Sequence, residues 1–381
     1  MANKIAFLGL GQCGSNICEV AEKSGYKTGV INTSPEDLSA LQLVKNKFLV
    51  GLEGGSAKDR RIAKNEVKTF YNDIINFVKC NFSDPEIGLI YLVFSTGGGT
   101  GSGMGPLVID LLKRFVGDKT FGAVAILPSK SESTVAHVNS YECLKELSSL
   151  SVPTILVDNE KCSSVNKNIS RKKLYDTINE AFIDDLDMIL KMKRPASMYG
   201  NIDAKDIFKL LATPGVLSIG MATSFDNLPL EKQILKSLEE SPYAPLELDG
   251  VVSRIGIIFE IKESTSNNIN YDNLYKDLGI PLELFEGMYF KTEDELIISI
   301  IAGQSFPMSR IEGIVNSISK NKDRFSIRKS FSISDTSSIS WFSEKREEAT
   351  SKSKNDNTAN DNTTKENDII NIDISSIFER Y

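Results

Sequence analysis

The chain has 381 residues, enough for two domains and a tail, and its 41% hydrophobic content supports sizeable cores. A formal net charge of −7 argues against general nucleic-acid affinity of the body, and the single histidine, His137, excludes a histidine-rich metal site. Any Ser/His/Asp triad would rest on His137 alone; it lies in a helical stretch, so a surface or packing role is expected. Cys13, Cys18, Cys80, Cys143 and Cys162 are odd in number and lack paired spacing, which points to a reduced, cytoplasmic setting. Met1-Ala2-Asn3-Lys4 leads straight into a strand, so no signal peptide is expected, and no apolar run is long enough to span a membrane.

Residues 4–8 read as a buried parallel strand. Gly9-Leu10-Gly11-Gln12-Cys13-Gly14-Ser15-Asn16 follows, and then a helical stretch over 17–23. Alone, this Gly-x-Gly-x-x-Gly turn would suggest a dinucleotide site and an NAD-type oxidoreductase. The second strand, however, ends in Asn32-Thr33, with no acidic residue placed for a ribose. Gly51-Leu52-Glu53-Gly54-Gly55-Ser56-Ala57-Lys58-Asp59 is a further glycine turn, and residues 62–79 read as an amphipathic helix.

The stretch around which the chain is organised is 94–106, containing Gly97-Gly98-Gly99-Thr100-Gly101-Ser102-Gly103. A strand pattern over 88–94 feeds it and a helical pattern from Pro106 leaves it. Glycine lets backbone amides face inward, and a helix N-terminus adds unpaired donors and the positive end of its dipole. Together they make a cradle for a phosphate chain, with the hydroxyls of Thr100 and Ser102 as added donors. No Gly-Lys-Ser/Thr ends the run, so it is not a Walker loop and phosphate would be held mainly by backbone. A dinucleotide enzyme does not need this second cradle.

Residues 122–128 and 152–158 read as further buried strands, with Glu132 in the loop after the first. The repeated strand-helix order implies an α/β fold, a doubly wound parallel sheet with its loops at the carboxyl edge. A long helix over 174–192 opens with Tyr175 and Asn179, which share a face. A ring at 175 can stack on a base while the amide at 179 donates and accepts at its edge, although a core tyrosine and a surface amide would look the same. In Asn201-Ile202-Asp203-Ala204-Lys205-Asp206, two carboxylates stand three apart at a helix start. Such a pair can orient a water for attack on a terminal phosphate, or simply cap the helix. Strands at 216–222, 254–261 and 296–302, with helices at 230–238, 273–278 and 309–318, outline a smaller α/β domain. From about residue 320 the chain turns basic and serine-rich, and 350–367 is too polar to bury a core and should be disordered. Residues 369–378 are apolar again, which fits either a partner-docking peptide on a tether or a last element folded back on the body.

The strings at 97–103 and 201–206 resemble signatures of the tubulin/FtsZ superfamily of polymerising GTPases, and those at 9–16 and 175–179 support the likeness. The resemblance covers about residues 1–320. It implies a nucleotide-binding GTPase domain over 1–173, a central helix over 174–196, a catalytic loop and activation domain over 197–320, and a C-terminal extension over 321–381, partly disordered. GTP or GDP is the implied ligand, with Mg²⁺ held through nucleotide phosphates and water. By position, Gly11, Gln12, Cys13 and Asn16 match the first nucleotide loop, with Asn16 as the amide that touches the base. Gly54 and Gly55 match the loop that senses the terminal phosphate, although Glu53 interrupts it. Gly97, Gly98, Gly99, Thr100, Gly101 and Ser102 match the phosphate cradle, and Tyr175 and Asn179 the base-recognition pair. Glu132 matches a ribose ligand, in a loop without the phenylalanines of FtsZ. Asn201, Asp203 and Asp206 match the catalytic loop that one subunit inserts into the pocket of the next.

The implied activity is GTP hydrolysis coupled to head-to-tail filament growth. The compact start and variant loops look most like the plasmid- and phage-borne TubZ branch, which implies DNA partitioning through a DNA-binding adaptor, with DNA met indirectly and no membrane partner. A cell-division filament protein is the alternative within the superfamily.

Overall fold

The apolar runs become strands buried on both faces, because helices cover both sides of the sheet they form. In the computed structural model, residues 2–51, 54–165, 169–223, 228–247, 249–265, 269–292, 294–331 and 375–381 are described. The first half alternates strand and helix: β1 (Ile5–Leu10), α1 (Gly11–Lys23), β2 (Lys27–Asn32), α2 (Pro35–Ala40), β3 (Lys47–Leu49), α3 (Arg60–Asn81), β4 (Leu89–Ser95), α4 (Thr100–Phe115), β5 (Thr120–Leu127), α5 (Thr134–Ser148), β6 (Pro153–Asp158) and α6 (Asn159–Val165). The central helix α7 (Arg171–Leu190) leads to α8 (Ala204–Leu211), β7 (Gly215–Ala222), α9 (Leu230–Glu240), β8 (Arg254–Ile261), α10 (Tyr271–Leu278), β9 (Glu283–Phe290), β10 (Leu296–Gln304) and α11 (Met308–Phe331).

Among the described residues the strands form one sheet, in the order β3-β2-β1-β4-β5-β6-β7-β10-β8-β9. From β3 to β7 all pairings are parallel, whereas β10 runs antiparallel to both β7 and β8. The winding reverses between β1 and β4, and the carboxyl ends of these two neighbours frame a crevice, the place where ligands bind in such sheets. One core lies between the sheet and α1, α7 and α8; a second lies under α3, α4 and α5; a third packs α9 and α10 onto β8 and β10.

The second half does not form a separate sheet. Its strands continue the first through Pro153↔Gly215, Thr154↔Val216 and Ile155↔Leu217. Helix α7 bridges this joint: Phe182, Ile183 and Leu186 share one core with Val124 of β5 and with Leu217 and Ile298 of the second half.

Several element limits differ from the sequence reading. Both glycine turns are themselves first helical turns, so α1 starts at Gly11 and α4 at Thr100. Pro106 sits inside α4; it cannot donate to the Ser102 carbonyl, and Arg60 Nη2 does so instead at 2.9 Å. Strand β9 escaped the sequence reading because it is an edge strand with Glu283 and Glu286 in it and has no clean alternation. Helix α11 runs to Phe331, past the boundary expected at 320.

The polar stretch 350–367 lies outside the described residues. Beyond it a short helix, Ser375–Arg380, is folded back on α3 and α4, the second of the two alternatives for this end. Ile377 is fully buried there, the Phe378 ring lies 5.7 Å from that of Tyr71, and Arg380 pairs with Asp110 at 3.1 Å.

Asp185 on α7 accepts a hydrogen bond from the Tyr243 hydroxyl at 2.7 Å. Burial pushes its carboxyl up to about 6, the Tyr243 bond opposes the shift, and the neighbouring Asp184 charge adds to it. A raised carboxyl favours the protonated folded form, so this group's contribution is present below about pH 4 and lost as pH rises through about 6. Asp185→Asn keeps the acceptor for Tyr243 and should gain about 2–3 kcal/mol at pH 8 and almost nothing at pH 4. Denaturant unfolding at the two pH values checks this; an equal effect at both would refute it.

Candidate nucleotide-binding site

Helices α1 and α4 both begin at the crevice between β1 and β4. Leu10 and Gly99 occupy their cap positions, and neither supplies a side-chain cap. The first-turn amides and the positive helix ends are therefore left for a ligand. A cleft of about 380 Å³ opens over them, lined by Gly11, Gln12, Cys13, the run 97–101 and Glu132, together with Asn32, Gly55, Ser56 and Lys58.

The glycines divide by what a side chain would meet. At Gly14 a Cβ would collide with the Val93 carbonyl oxygen, so this glycine lets α1 lie against β4. At Gly99 it would strike Ser56 and the Lys58 main chain, so this one admits the 51–58 loop. At Gly98 and Gly55 nothing lies within 4 Å, and the missing side chains leave room in the cleft itself.

Three loops meet at Thr100, whose hydroxyl is 2.9 Å from that of Thr33 and 2.9 Å from that of Ser56. Ser102 departs from its expected role as a ligand donor. Its side chain is fully buried and its hydroxyl donates to the Gly98 carbonyl, so it ties the loop down. Gly54 is exposed and does not line the cleft, whereas Gly55 does. Glu53 lies outside the described residues.

A second lobe of about 160 Å³ shares Gln12, Cys13, Ser95 and Glu132 with the first. It adds Asn16, Ile126, Asn159, Tyr175 and Asn179, so the expected base-recognition residues share one pocket. Glu132 is oriented from within its own loop, its Oε1 accepting the Ser129 N–H at 3.1 Å. Burial, then the Glu132 charge, raises the Tyr175 phenol. Burial and the same carboxylate push the Cys13 thiol up to about 12; it stays protonated and is not a nucleophile.

Among the described residues no cluster of three or more His, Cys, Asp or Glu could hold a metal.

Asn201, Asp203 and Asp206 do not line either lobe. They lie at the opposite edge of the sheet. Asp203 is close enough to Lys4 to feel its charge, and Lys4 precedes β1, whose six residues run about 20 Å to the cleft. Asp203 caps α8, accepting from the N–H groups of Lys205 at 2.6 Å and Asp206 at 3.0 Å, while Asp206 accepts from the Asp203 N–H at 2.9 Å. Those backbone bonds, the Asp206 one foremost, hold the Asp203 carboxyl below its usual range. Asn201 braces its own loop: its side-chain oxygen accepts the Ser197 N–H at 2.8 Å and its amide donates to the Ser197 carbonyl.

His137 is buried, with Nδ1 3.0 Å from the Ser133 carbonyl, so its role is packing. Sequence reasoning did not assign Lys58 or Asn159 to the site. Asn159 follows a buried strand at its carboxyl end, a position that could have flagged it. Lys58 carried only the signal of a cation after a glycine turn. Among the described residues it is the one cationic side chain lining the two lobes.

The glycine contacts give opposite expectations for two alanines. Gly98→Ala should fold with an unchanged melting temperature and lose tenfold or more in nucleotide affinity, because its methyl enters the cleft. Gly14→Ala should fail to fold stably. Thermal melts with nucleotide titration check both; normal affinity in Gly98→Ala would show that the cleft is not a phosphate cradle.

Residues 4–167 match the model of the tubulin/FtsZ family, GTPase domain. The chain is 28% identical over 295 residues to the tubulin-like protein TubZ of Clostridium botulinum C phage, covering 75% of this chain and 76% of that protein. It is 26% identical over 337 residues to the tubulin-like protein CetZ of Pyrococcus furiosus, covering 84% and 90%. Its fold is similar to that in the GTPγS-form protofilament of Bacillus thuringiensis serovar israelensis TubZ, with a TM-score of 0.75, 17% identity, and coverage of 87% and 95%. The uncapped cradle at the β1–β4 crevice thus lies within the stretch that matches a tubulin/FtsZ-family GTPase domain, and the chain resembles TubZ.

Proposed function

We propose that the protein is a polymerising GTPase that hydrolyses GTP at the junction between successive subunits of a head-to-tail filament. The observation that carries this reading is the separation of the cleft from the 201–206 carboxylates by the length of β1. One subunit cannot bring the two together, whereas stacking the carboxylate edge of one on the cleft of the next does so. Contact between two different surfaces does not close on itself and propagates as a filament. The protofilament form of the Bacillus thuringiensis TubZ is consistent with this.

In this reading GTP brings the scissile phosphate, and Mg²⁺ would neutralise charge on its phosphate oxygens. The residues of this chain supply the rest. Amides of the 97–101 run and the two helix ends hold the phosphates, Lys58 meets the terminal one, Tyr175 stacks on the base, and Asn16 and Asn179 meet its polar edge. Glu132 takes the ribose. Asp203 and Asp206 of the next subunit accept hydrogen bonds from a water and hold it for in-line attack.

Because Asp203 also caps α8, the informative substitution is Asp203→Asn, which keeps a capping oxygen and removes the charge. Asp203→Asn and Asp206→Asn should keep GTP binding and assembly but slow hydrolysis by about a hundredfold or more, leaving long-lived filaments. Wild-type hydrolysis per molecule should rise with protein concentration in step with light scattering. A rate per molecule that is constant down to high dilution would mean a self-contained active site.

We further propose that the filaments are cytoplasmic and partition plasmid or phage DNA, reaching it through a DNA-binding adaptor. The likeness to a phage TubZ supports this reading. Deleting the coding sequence should then cause loss of the replicon that carries it, measured as retention over generations without selection. Stable inheritance together with a cell-division defect would point to the FtsZ-like role instead.

A further inference from the structure

Asn139 lies on α5, is 7% exposed, and lines neither lobe of the cleft. Its side-chain Nδ2 is 3.0 Å from the Lys58 carbonyl oxygen, 3.3 Å from that of Gly97 and 3.2 Å from that of Gly98. One buried amide thus faces three main-chain acceptors drawn from two different loops of the phosphate cleft. In a planar trans peptide, C=O and N–H point to opposite sides. With the Gly97 and Gly98 carbonyls turned to Asn139, the N–H groups of Gly98 and Gly99 point away from α5, and both residues line the cleft. The third carbonyl closes a left-handed pair, Ala57 at φ 46° and Lys58 at φ 65°. Residues with a Cβ keep that conformation where their surroundings hold it.

We propose that Asn139 is a positioning residue that locks the Lys58 loop onto the glycine cradle, so that the cleft distinguishes a nucleoside triphosphate from a diphosphate. The proposal rests on the nucleotide reading above. Asn139 acts through the Gly98 and Gly99 amides and through the placement of Lys58. Without it the two helix ends remain and still hold a diphosphate. The Lys58 turn relaxes, and the contact specific to a terminal phosphate is lost.

The test titrates GTPγS and GDP into the full chain, below the concentration at which it assembles. Asn139→Ala should lose about tenfold in GTPγS affinity and much less in GDP affinity, the scale of a lost hydrogen-bond contact. At pH 8, Asn139→Asp sets a carboxylate against three carbonyls and should lose at least as much. Protonation returns one donor, so its GTPγS preference should recover relative to wild type as pH falls towards 5.5, while Asn139→Ala shows no recovery. Asn139→Ser replaces the alanine variant if that one does not fold. A structural role alone would weaken both nucleotides in parallel, without a return at low pH. Parallel loss, or an unchanged GTPγS-to-GDP ratio, overturns the proposal. Wild-type protein that binds neither nucleotide overturns the nucleotide reading, and this inference with it.

Discussion

Helix α1 can aim its N-terminus at the same crevice as α4 because Gly14 lets it lie on the Val93 carbonyl. Two uncapped helix ends then converge on one volume. Their positive poles repel each other, and their first-turn amides have no partners among the caps, so the empty arrangement carries an electrostatic cost that an anion relieves. The preference for phosphate is thus built into the packing of helices on a sheet, and Lys58 adds to it from the third loop.

Polar side chains around the cleft mostly serve the backbone, and the backbone serves the ligand. Ser102 ties Gly98, Arg60 takes the carbonyl that Pro106 cannot, and Asn139 gathers three more. This division has a physical reason. A main-chain amide is fixed by the fold and has no rotamer freedom to lose on binding, whereas a serine hydroxyl must be ordered first. Side chains spent on orienting amides improve every donor in the loop at once.

The sequence shows where the strands lie along the chain, because strands buried on both faces are unbroken apolar runs, and glycine turns mark the carboxyl ends of β1 and β4. Gathering Asn16, Tyr175 and Asn179 into one pocket was legible from helical spacing and the family likeness together. Asn139 was not legible, since a single amide inside a helix gives no pattern until the carbonyls opposite it are placed. The role of Ser102 misled for a related reason: a hydroxyl in a glycine run looks the same whether it faces a ligand or the preceding turn. Strand β9 was hidden by its charges, which an edge tolerates. The union of both halves in one sheet depends on Pro153, Thr154 and Ile155 meeting Gly215, Val216 and Leu217, a long-range pairing with no local signature.

That short pairing is also a narrow seam between the two halves of the sheet. Its neighbours β5·β6 and β7·β10 are held over longer stretches. A body with two wide plates and a narrow seam bends at the seam, and α7, sharing a core with strands on both sides, lies across it like a splint. Stress passing from the carboxylate edge of the molecule towards its cleft would load α7 before it could open the sheet. The stiffness of a column of such subunits would then follow the packing of Phe182, Ile183 and Leu186 more closely than the number of hydrogen bonds between strands.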